Sequence, residues 1–337
     1  MDLDGFMSGL LPAIEAELRQ VVQQAGGARL SELHHMLAYH LGWEGEGAGP
    51  QASGKRIRPL LVLLTCGASG GDWQRSLPAA AAVELVHNFS LIHDDIQDNG
   101  MLRRGRPTVW TKWGVAQAIN AGDAMFALAQ IALLRLNQTA SPAIALEALR
   151  ILLHTCLHLT QGQYLDIAYE RAEGFGLEAY WEMVAGKTAA LIAACTELGA
   201  LVAEVTEARR AAFRRFGERL GLAFQAQDDL LGIWGDQART GKSAQSDLLS
   251  GKKTLPVLFG LSCGGAFAAR MRQGALQPQE IPHLAAQLEA EGARAFTEQT
   301  VQHLTDQALQ ALDEAQPTGE MGAALRALAL RLLERQA

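Results

Sequence analysis

The chain has 337 residues, with 36 Asp or Glu against 29 Lys or Arg, so its formal net charge is −7. Hydrophobic residues make up 49% and charged residues 19%, which excludes a disordered chain and allows a large buried core. The acidic balance argues against a general nucleic-acid binder, which carries a basic surface. Four cysteines without a CxxC pair predict neither a disulfide framework nor a cysteine zinc site.

The first residues also bear on location. They are acidic where a signal peptide would be basic, and no unbroken apolar run reaches the roughly 18 residues that predict a membrane span. We therefore expect a cytoplasmic protein without a membrane span.

Helical periodicity extends along almost the whole sequence. Apolar residues recur three and four positions apart in 79–92, 121–136 and 188–205. Hairpin patterns are hardly present, so the sequence predicts an all-α helical bundle. Polar, Gly-rich interruptions at 44–54 and 235–253 are too short to link domains, and no repeat of 20–50 residues is found. A single domain over residues 1–337 is expected.

A first carboxylate cluster, HDDIQD (93–98), ends a strongly apolar helical segment. Asp94 and Asp98 are four residues apart, so their side chains leave one helix face a turn apart. Such carboxylates repel each other unless a cation lies between them. An exposed acidic helix end would also explain the pattern, but acidic groups are unfavourable at a helix C-terminus, so a metal site is favoured.

A second cluster, FQAQDDLLGIWGD, occupies 224–236. Gln225, Asp228, Asp229, Gly232 and Asp236 fall on one helical stripe if the helix continues that far. Neither cluster has Cys or His at transition-metal spacing, whereas hard cations bind a few carboxylates together with water and phosphate oxygens. The sequence therefore favours Mg²⁺, held by two oxygen-rich clusters.

Basic residues stand close to both clusters in this acidic chain. They occur as GKRIRP (54–59), RRGRP (103–107), the GKT of 186–188, and Lys242. Each alone is more often a solvated surface patch. Together with Mg²⁺, however, arginine forks and lysine charges are what a diphosphate needs.

With these residues in view, the sequence resembles the trans-isoprenyl diphosphate synthases, or polyprenyl synthetases, over about residues 54–256. Nine landmarks stand in order: GKRIRP (54–59), HNFSLIHDDIQD (87–98), LRRGRPT (102–108), NAGD (120–123), QGQYLD (161–166), GKTA (186–189), FQAQDDLLGIWGD (224–236), TGKS (240–243) and GKKTLP (251–256). The resemblance implies a bundle of the isoprenoid synthase type with a central active-site cavity. It also implies the condensation of isopentenyl diphosphate with an allylic diphosphate, assisted by three Mg²⁺.

The resemblance also assigns roles to residues. Asp94, Asp98 and Asp228 match the metal ligands, with Asp95 and Asp229 as supporting carboxylates. The positions that match the allylic diphosphate site are Arg103, Lys187, Thr188, Gln225 and Lys242. Those that match the isopentenyl diphosphate site are Lys55, Arg58, His87 and Arg104. Lys252 matches a lysine of the closing loop, and the segment 235–253 is expected to order over bound diphosphates.

The second aspartate motif departs from the family pattern DDxxD, because Gly232 stands in the last position. Weaker support of the metal with retained catalysis is expected. Asp228, Gly232 and Asp236 also fall at the first, fifth and ninth positions of the metal triad of class I terpene cyclases. That match is poor, and a cyclase has no use for isopentenyl-binding cations. A cyclase and a subunit of a heteromeric synthase remain the alternatives.

Product length is the last expectation. Ser90 lies four residues before Asp94, and Phe89 is rotated by about 100° from Ser90 on the helix. In the family, an aromatic residue at the fifth position before the motif and a small one at the fourth, with no insertion within DDxxD, accompany short-to-medium products. Geranylgeranyl diphosphate is expected, with farnesyl diphosphate next. The resemblance also implies a homodimer.

Overall fold

The computed structural model describes residues 3–170, 175–235, 246–249, 251–274 and 276–333. These residues are almost entirely helical, which confirms the all-α prediction. In chain order the α-helices are α1 (Leu3–Val22), α2 (Ser31–His40), α3 (Pro50–Ser53), α4 (Ile57–Ala68), α5 (Leu77–Gln97), α6 (Val109–Trp113), α7 (Val115–Leu134), α8 (Pro142–Glu170), α9 (Leu177–Val184), α10 (Ala190–Val202), α11 (Glu207–Trp234), α12 (Ser246–Leu249), α13 (Leu255–Cys263), α14 (Ala266–Met271), α15 (Ile281–Ala290), α16 (Ala293–Glu314) and α17 (Gly319–Leu333). Short 3₁₀ turns occur at Gln23–Ala25, Ala28–Leu30, Trp73–Ser76, Arg135–Gln138 and Pro278–Glu280.

Within the described residues, the strands are confined to one small hairpin. Strands β1 (Leu102–Arg103) and β2 (Arg106–Pro107) pair antiparallel, with Arg103 opposite Arg106. Arg104 and Gly105 make the turn, both at positive φ (52° and 75°), which is typical of a two-residue hairpin loop. The hairpin thus brings the RRGR sequence back on itself directly after the first carboxylate cluster.

The chain divides into two units by its internal contacts. Unit 1 comprises Met1–Cys156, Ala194–Ala211 and Gln316–Leu325. In this unit α5 packs on α7, α4 and α1, and residues 79–86 of α5 are all buried. A helix that is apolar on every side is stable only when surrounded by protein, so α5 forms the centre of unit 1.

Unit 2 comprises Leu157–Ala193, Ala212–Ala315 and Arg326–Ala337. Its core includes Phe213 and Phe216 of α11 and Phe267 of α14, all fully buried. Helix α13 packs on α9, α14 and α16. Between α9 and α10, residues Ala185–Ala189 form a single π-helical turn. The GKT sequence therefore lies in a break between two α-helices.

Three helical segments are long and apolar enough to cross a membrane by length and composition, among the residues that the structure describes. They are Val115–Gln138, Pro142–Tyr169 and Leu177–Val202, of which 44%, 44% and 72% are buried inside the protein. The expectation of no membrane span, which came from unbroken apolar runs, stays a prediction.

Candidate active site

The first carboxylate cluster lies where α5 passes from the core of unit 1 to its surface. Helix α5 ends at Gln97, and Asp98 follows it with its backbone N–H donating to the carbonyl of Asp94 at 2.9 Å. Asp94 is half-buried and Asp98 is exposed. The two carboxylates are therefore one helical turn apart at the surface end of α5, and the one-turn separation is what their spacing predicted.

Asp95, the other acidic residue of the motif, points elsewhere. It is buried and accepts a hydrogen bond from Nε of Arg103 at 2.8 Å. Burial raises the pKa of Asp95 to about 6, although the Arg103 charge opposes this. Nη2 of Arg103 also lies 3.9 Å from Asp94. Asp95 therefore holds Arg103 beside Asp94, as a supporting carboxylate would.

The hairpin arginines divide into two kinds. Arg106 is buried, and its guanidinium donates to the carbonyls of Tyr39, Glu44 and Glu46. Arg104, in contrast, is exposed and makes one backbone bond from Nη1 to Ala52 at 2.8 Å. A side chain at Gly54 would come within 2.7 Å of the Arg104 guanidinium, so the glycine allows Arg104 to lie against the GKRIRP segment.

The basic residues of the GKRIRP segment also divide into one that anchors the fold and two that are binding candidates. Arg56 is buried at a left-handed backbone position (φ 49°) and donates to Glu15, to Glu84 and to the carbonyl of Leu41. Glu15 also accepts from the indole N–H of Trp43. With its donors committed to these acceptors, Arg56 anchors the segment, and Lys55 and Arg58 on either side remain as binding candidates. Sequence reasoning missed this anchor, because Glu15 and Trp43 lie in the first 50 residues, where no motif stands.

Arg58 and His87 form a half-buried pair. Nη1 of Arg58 lies 3.2 Å from Nε2 of His87. Because guanidinium can only donate, Nε2 is the acceptor and the imidazole proton is on Nδ1. Burial and the charges of Arg58, Arg104 and Arg103 hold the pKa of His87 well below its ordinary value. Among the described residues, Nε of Arg58 is buried without a hydrogen-bond partner, so it can donate to an anion.

In unit 2, the π-helical turn carries Lys187 and Thr188. It lies against α8, where a side chain at Gly162 would come within 2.1 Å of the backbone nitrogen of Lys187. Lys187 forms an ion pair with Asp166, one turn further along α8. The QGQYLD and GKTA landmarks are therefore in contact, and Asp166 holds the lysine. The sequence had given Asp166 no role.

The second carboxylate cluster lies on α11. Gln225 and Asp228 are half-buried, and Asp229 and Gly232 are buried. Asp229 accepts from the hydroxyl of Tyr180, from Nε2 of Gln225 and from the backbone N–H of Leu255, at 2.7–2.9 Å. Burial raises the pKa of Asp229 to about 6 despite these donors. Oε1 of Gln225 in turn accepts from the Thr188 hydroxyl at 2.9 Å.

Of the residues that follow the second carboxylate cluster, the structure describes only a part. Helix α11 ends at Trp234, and both Lys242 and Asp236 lie outside the described residues, as does most of 235–253. Lys252 is described and exposed, and its positive charge acts on Asp229. The expectations for Lys242, for the closing segment and for the ninth position of a cyclase triad therefore stay predictions.

Phe89 and Ser90, the product-length candidates, are both half-buried on α5. The Phe89 ring meets the rings of Phe126 on α7 and His93 edge-to-face, with centroids 5.1 and 5.8 Å apart. The Ser90 hydroxyl donates to the carbonyl of His87. Phe126 is thus a further aromatic residue beside Phe89, and the sequence gave no signal for it.

Comparison with known proteins decides the family. Residues 49–316 match the sequence model described as polyprenyl synthetase. The chain belongs to the polyprenyl synthetase family. A geranylgeranyl diphosphate synthase of Mycobacterium tuberculosis is 46% identical over 255 residues, which cover 75% of this chain and 72% of that protein.

Two further members of the family are similar. A (2E,6E)-farnesyl diphosphate synthase of Mycobacterium bovis is also 46% identical, over 70% of this chain and 65% of that protein. The crystal structure of a polyprenyl synthetase from Streptomyces coelicolor has a TM-score of 0.89 at 36% identity, covering 98% of this chain and all of that one. The isoprenoid synthase fold is therefore confirmed, and the chain is a trans-prenyltransferase. Neither the cyclase nor the subunit alternative is favoured by relatives of these names.

The family implies a divalent metal, and the donors present fit one. Among the described residues, no three His, Cys, Asp or Glu side chains form a group that could enclose an ion. Mg²⁺ needs no such cage, because it usually binds one or two carboxylates and completes its octahedron with water and substrate phosphates. Asp94 and Asp98, one turn apart at the surface end of α5, provide such a pair.

Proposed function

We propose that this chain condenses isopentenyl diphosphate with an allylic diphosphate to give a short-chain trans-prenyl diphosphate. Geranylgeranyl diphosphate is the expected product, with farnesyl diphosphate next. Relatives of both names are 46% identical to this chain, so overall identity does not separate the two products.

The observation that carries the proposal is the presence of two separate sets of anion donors. In unit 1, Arg58 and Arg104 lie close enough to the neutral His87 to act on it, and Lys55 belongs to the same segment as Arg58. In unit 2, Lys187, Thr188 and Gln225 form the second set. A condensation binds two diphosphates, whereas a cyclase binds one. Two donor sets in a chain of net charge −7 therefore support the condensation.

The first set is the proposed isopentenyl diphosphate site, formed by Lys55, Arg58, His87 and Arg104. Because no metal is expected there, the cations must compensate the diphosphate charge themselves. Arg58 contributes its unpaired Nε, and neutral His87 donates from Nδ1.

The proposed allylic site rests on both aspartate motifs. Asp94, Asp98 and Asp228 are the proposed metal ligands, with three Mg²⁺ expected when substrate is bound. The chemistry that Mg²⁺ supplies when bound is neutralisation of the charge on the diphosphate oxygens. The residues proposed to hold and stabilise the departing diphosphate are Arg103, Lys187, Thr188, Gln225 and Lys242, with Lys252 on the closing segment.

The bond changes balance without a dedicated base. The C–O bond of the allylic diphosphate breaks, and its electron pair leaves with the diphosphate. The double bond of isopentenyl diphosphate then forms the new C–C bond to the allylic cation. A proton lost from the adduct restores a double bond and is taken by the released diphosphate. Fixed donors around the departing diphosphate are the main source of rate enhancement.

Several further properties are part of the proposal. The family implies a homodimeric assembly. Composition and sequence pattern support a cytoplasmic location without a membrane span, one functional domain over residues 1–337, and no nucleic-acid partner.

Incubation with Mg²⁺, isopentenyl diphosphate and allylic primers of five, ten and fifteen carbons tests the proposal, with products sized by chromatography after dephosphorylation. We expect a product of twenty carbons from each primer. Because EDTA removes the divalent metal, we expect no product in its presence. Hydrocarbon or alcohol formed without isopentenyl diphosphate would indicate a cyclase. Activity that requires a second, different chain would indicate a heteromeric subunit.

A further inference from the structure

Tyr180 lies outside every landmark of the family yet bonds directly to the second aspartate motif. It is on α9, seven residues before Lys187, and is 1% exposed. Its ring packs edge-to-face on Trp181 at 4.9 Å. Its hydroxyl donates to Oδ2 of Asp229 at 2.7 Å. Burial and the Asp229 charge hold the pKa of Tyr180 well above its ordinary value, so the hydroxyl stays protonated and remains a donor.

The Asp229 carboxylate accepts hydrogen bonds from both Tyr180 and Gln225 and so links the two side chains. Its Oδ1 accepts from Nε2 of Gln225 at 2.9 Å, while Oδ2 is shared by Tyr180 and the backbone N–H of Leu255. An ionised carboxylate only accepts hydrogen bonds. The Gln225 amide must therefore turn its NH₂ end to Asp229 and its oxygen to Thr188, whose hydroxyl donates to it at 2.9 Å.

The orientation of this amide matters for an anionic ligand. The NH₂ group of Gln225 has two N–H donors, one of which points to Asp229. The second can donate to a phosphate oxygen. If the amide rotated by 180°, its oxygen would stand in that place and repel the phosphate. The amide orientation thus decides whether Gln225 attracts or repels a diphosphate.

We propose that Tyr180 is a positioning residue for the allylic diphosphate site. Its hydroxyl fixes the Asp229 carboxylate, which keeps the Gln225 amide in the donor orientation and thereby sets the Thr188 hydroxyl. This inference rests on the proposed function, in which Gln225 and Thr188 contact the allylic diphosphate. It adds a residue that acts on the substrate only through Asp229 and Gln225.

Tyr180→Phe is the direct test, because it removes the hydroxyl and keeps the ring. We expect KM for the allylic diphosphate to rise roughly 10- to 150-fold, the range for losing a hydrogen bond to a charged group, with KM for isopentenyl diphosphate unchanged. A merely structural role would lower the active fraction and change neither KM. Thr297→Val is the control, because it removes a buried hydroxyl that donates at 2.8 Å to the carbonyl of Ala293 on α16, away from the proposed site residues. Its allylic KM should stay at the wild-type value.

A double-mutant cycle tests the route through Gln225. If Tyr180 acts through the amide, Tyr180→Phe should raise the allylic KM in the wild-type background but hardly at all in Gln225→Ala. Equal effects in both backgrounds would overturn the proposed route. Should Tyr180→Phe not fold, Asp229→Asn replaces it in the cycle, because the neutral amide no longer imposes one orientation on Gln225.

Calorimetric binding of a non-reactive thiolo analogue of geranyl diphosphate gives a readout that does not depend on turnover. Weaker binding by Tyr180→Phe than by Thr297→Val supports the inference, and equal binding overturns it. A wild-type protein that neither binds the analogue nor forms product contradicts the proposed function itself. An active wild type with unchanged allylic KM in Tyr180→Phe contradicts only the role of Tyr180.

Discussion

At the scale of single residues, the structure separates cations that anchor the fold from cations that can bind a ligand. Arg56 and Arg106 are buried and donate to carboxylates and carbonyls of their own unit. Their close neighbours Arg58 and Arg104 make one described hydrogen bond each. A guanidinium has five N–H donors, so the second pair retains donors for a diphosphate. Sequence motifs alone place all four in the same basic segments.

Asp94→Ala tests the proposed metal ligand. Turnover should fall by on the order of 10²–10³, because charge on the departing diphosphate would no longer be compensated. Stability should be unchanged or slightly higher, because Asp94 and Asp98 repel each other by a few tenths of a kcal/mol. Steady-state kinetics and circular dichroism measure the two effects. Asp306→Ala, an exposed carboxylate on α16, is the control, and wild-type turnover by Asp94→Ala would refute the assignment.

At the scale of elements, the helices before the first motif hold the site in place. Arg56 at the start of α4 bonds Glu15 of α1 and Glu84 of α5, as well as the carbonyl of Leu41 just after α2. The segment with Lys55 and Arg58 is thereby fixed to three elements. The sequence attached no importance to α1, because a helix pattern does not reveal which of its carboxylates is paired.

Arg56→Met should therefore destabilise the protein strongly. It keeps most of the stem but leaves Glu84, whose side chain is 3% exposed, as a buried carboxylate without its cation. Breaking such a pair costs about 3–5 kcal/mol, measurable by urea unfolding. Arg294→Met is the control, since Arg294 pairs with Glu289 and Glu298 at the surface, and should cost less than about 1 kcal/mol. Equal losses in the two variants would contradict the anchoring role.

The packing of α5 against α7 leads to a second prediction, which concerns product length. Because the Phe126 ring supports Phe89 edge-to-face, removing either ring should give the growing chain more room. Phe89→Ala and Phe126→Ala are both expected to shift products to longer chains. Phe296→Ala is the control, because it breaks a stacked pair with Phe259 elsewhere in the protein. An unchanged product distribution in Phe89→Ala would exclude that residue as the limit on length.

At the scale of the whole molecule, buried titratable groups connect the site to stability. His40 and His87 both have a pKa well below the ordinary value, because they are buried and face several arginines. The unfolded chain takes up protons on these histidines below about pH 6.5, whereas the folded protein does so only at lower pH. The unfolded state then binds more protons, so stability is lost as pH falls from about 6.5 towards the depressed pKa.

Urea unfolding between pH 7.5 and 5.5 measures this loss, with a slope of at most about 1.4 kcal/mol per pH unit for each histidine.

Asp95 and Asp229 act in the opposite direction. Their pKa is raised to about 6 in the folded protein. Between about pH 6 and pH 4 the folded state therefore binds more protons than the unfolded state, and the free energy of unfolding rises as pH falls. The aspartates are common to wild type and His87→Gln, so the difference between the two isolates the histidine. We expect a smaller acid loss in His87→Gln, and an identical slope would contradict the prediction.

The helical class, the family and the two aspartate motifs follow from the amino-acid sequence alone, because these depend on local spacing. Residues four apart on a helix share a face wherever the helix lies, so Asp94 and Asp98 could be paired from the sequence alone. Only the tertiary structure decided which cations are anchors and which groups orient the donors. Arg56 meets Glu15 across 41 positions, and Tyr180 meets Asp229 across 49. No periodicity connects residues so far apart, because only tertiary packing brings them into contact.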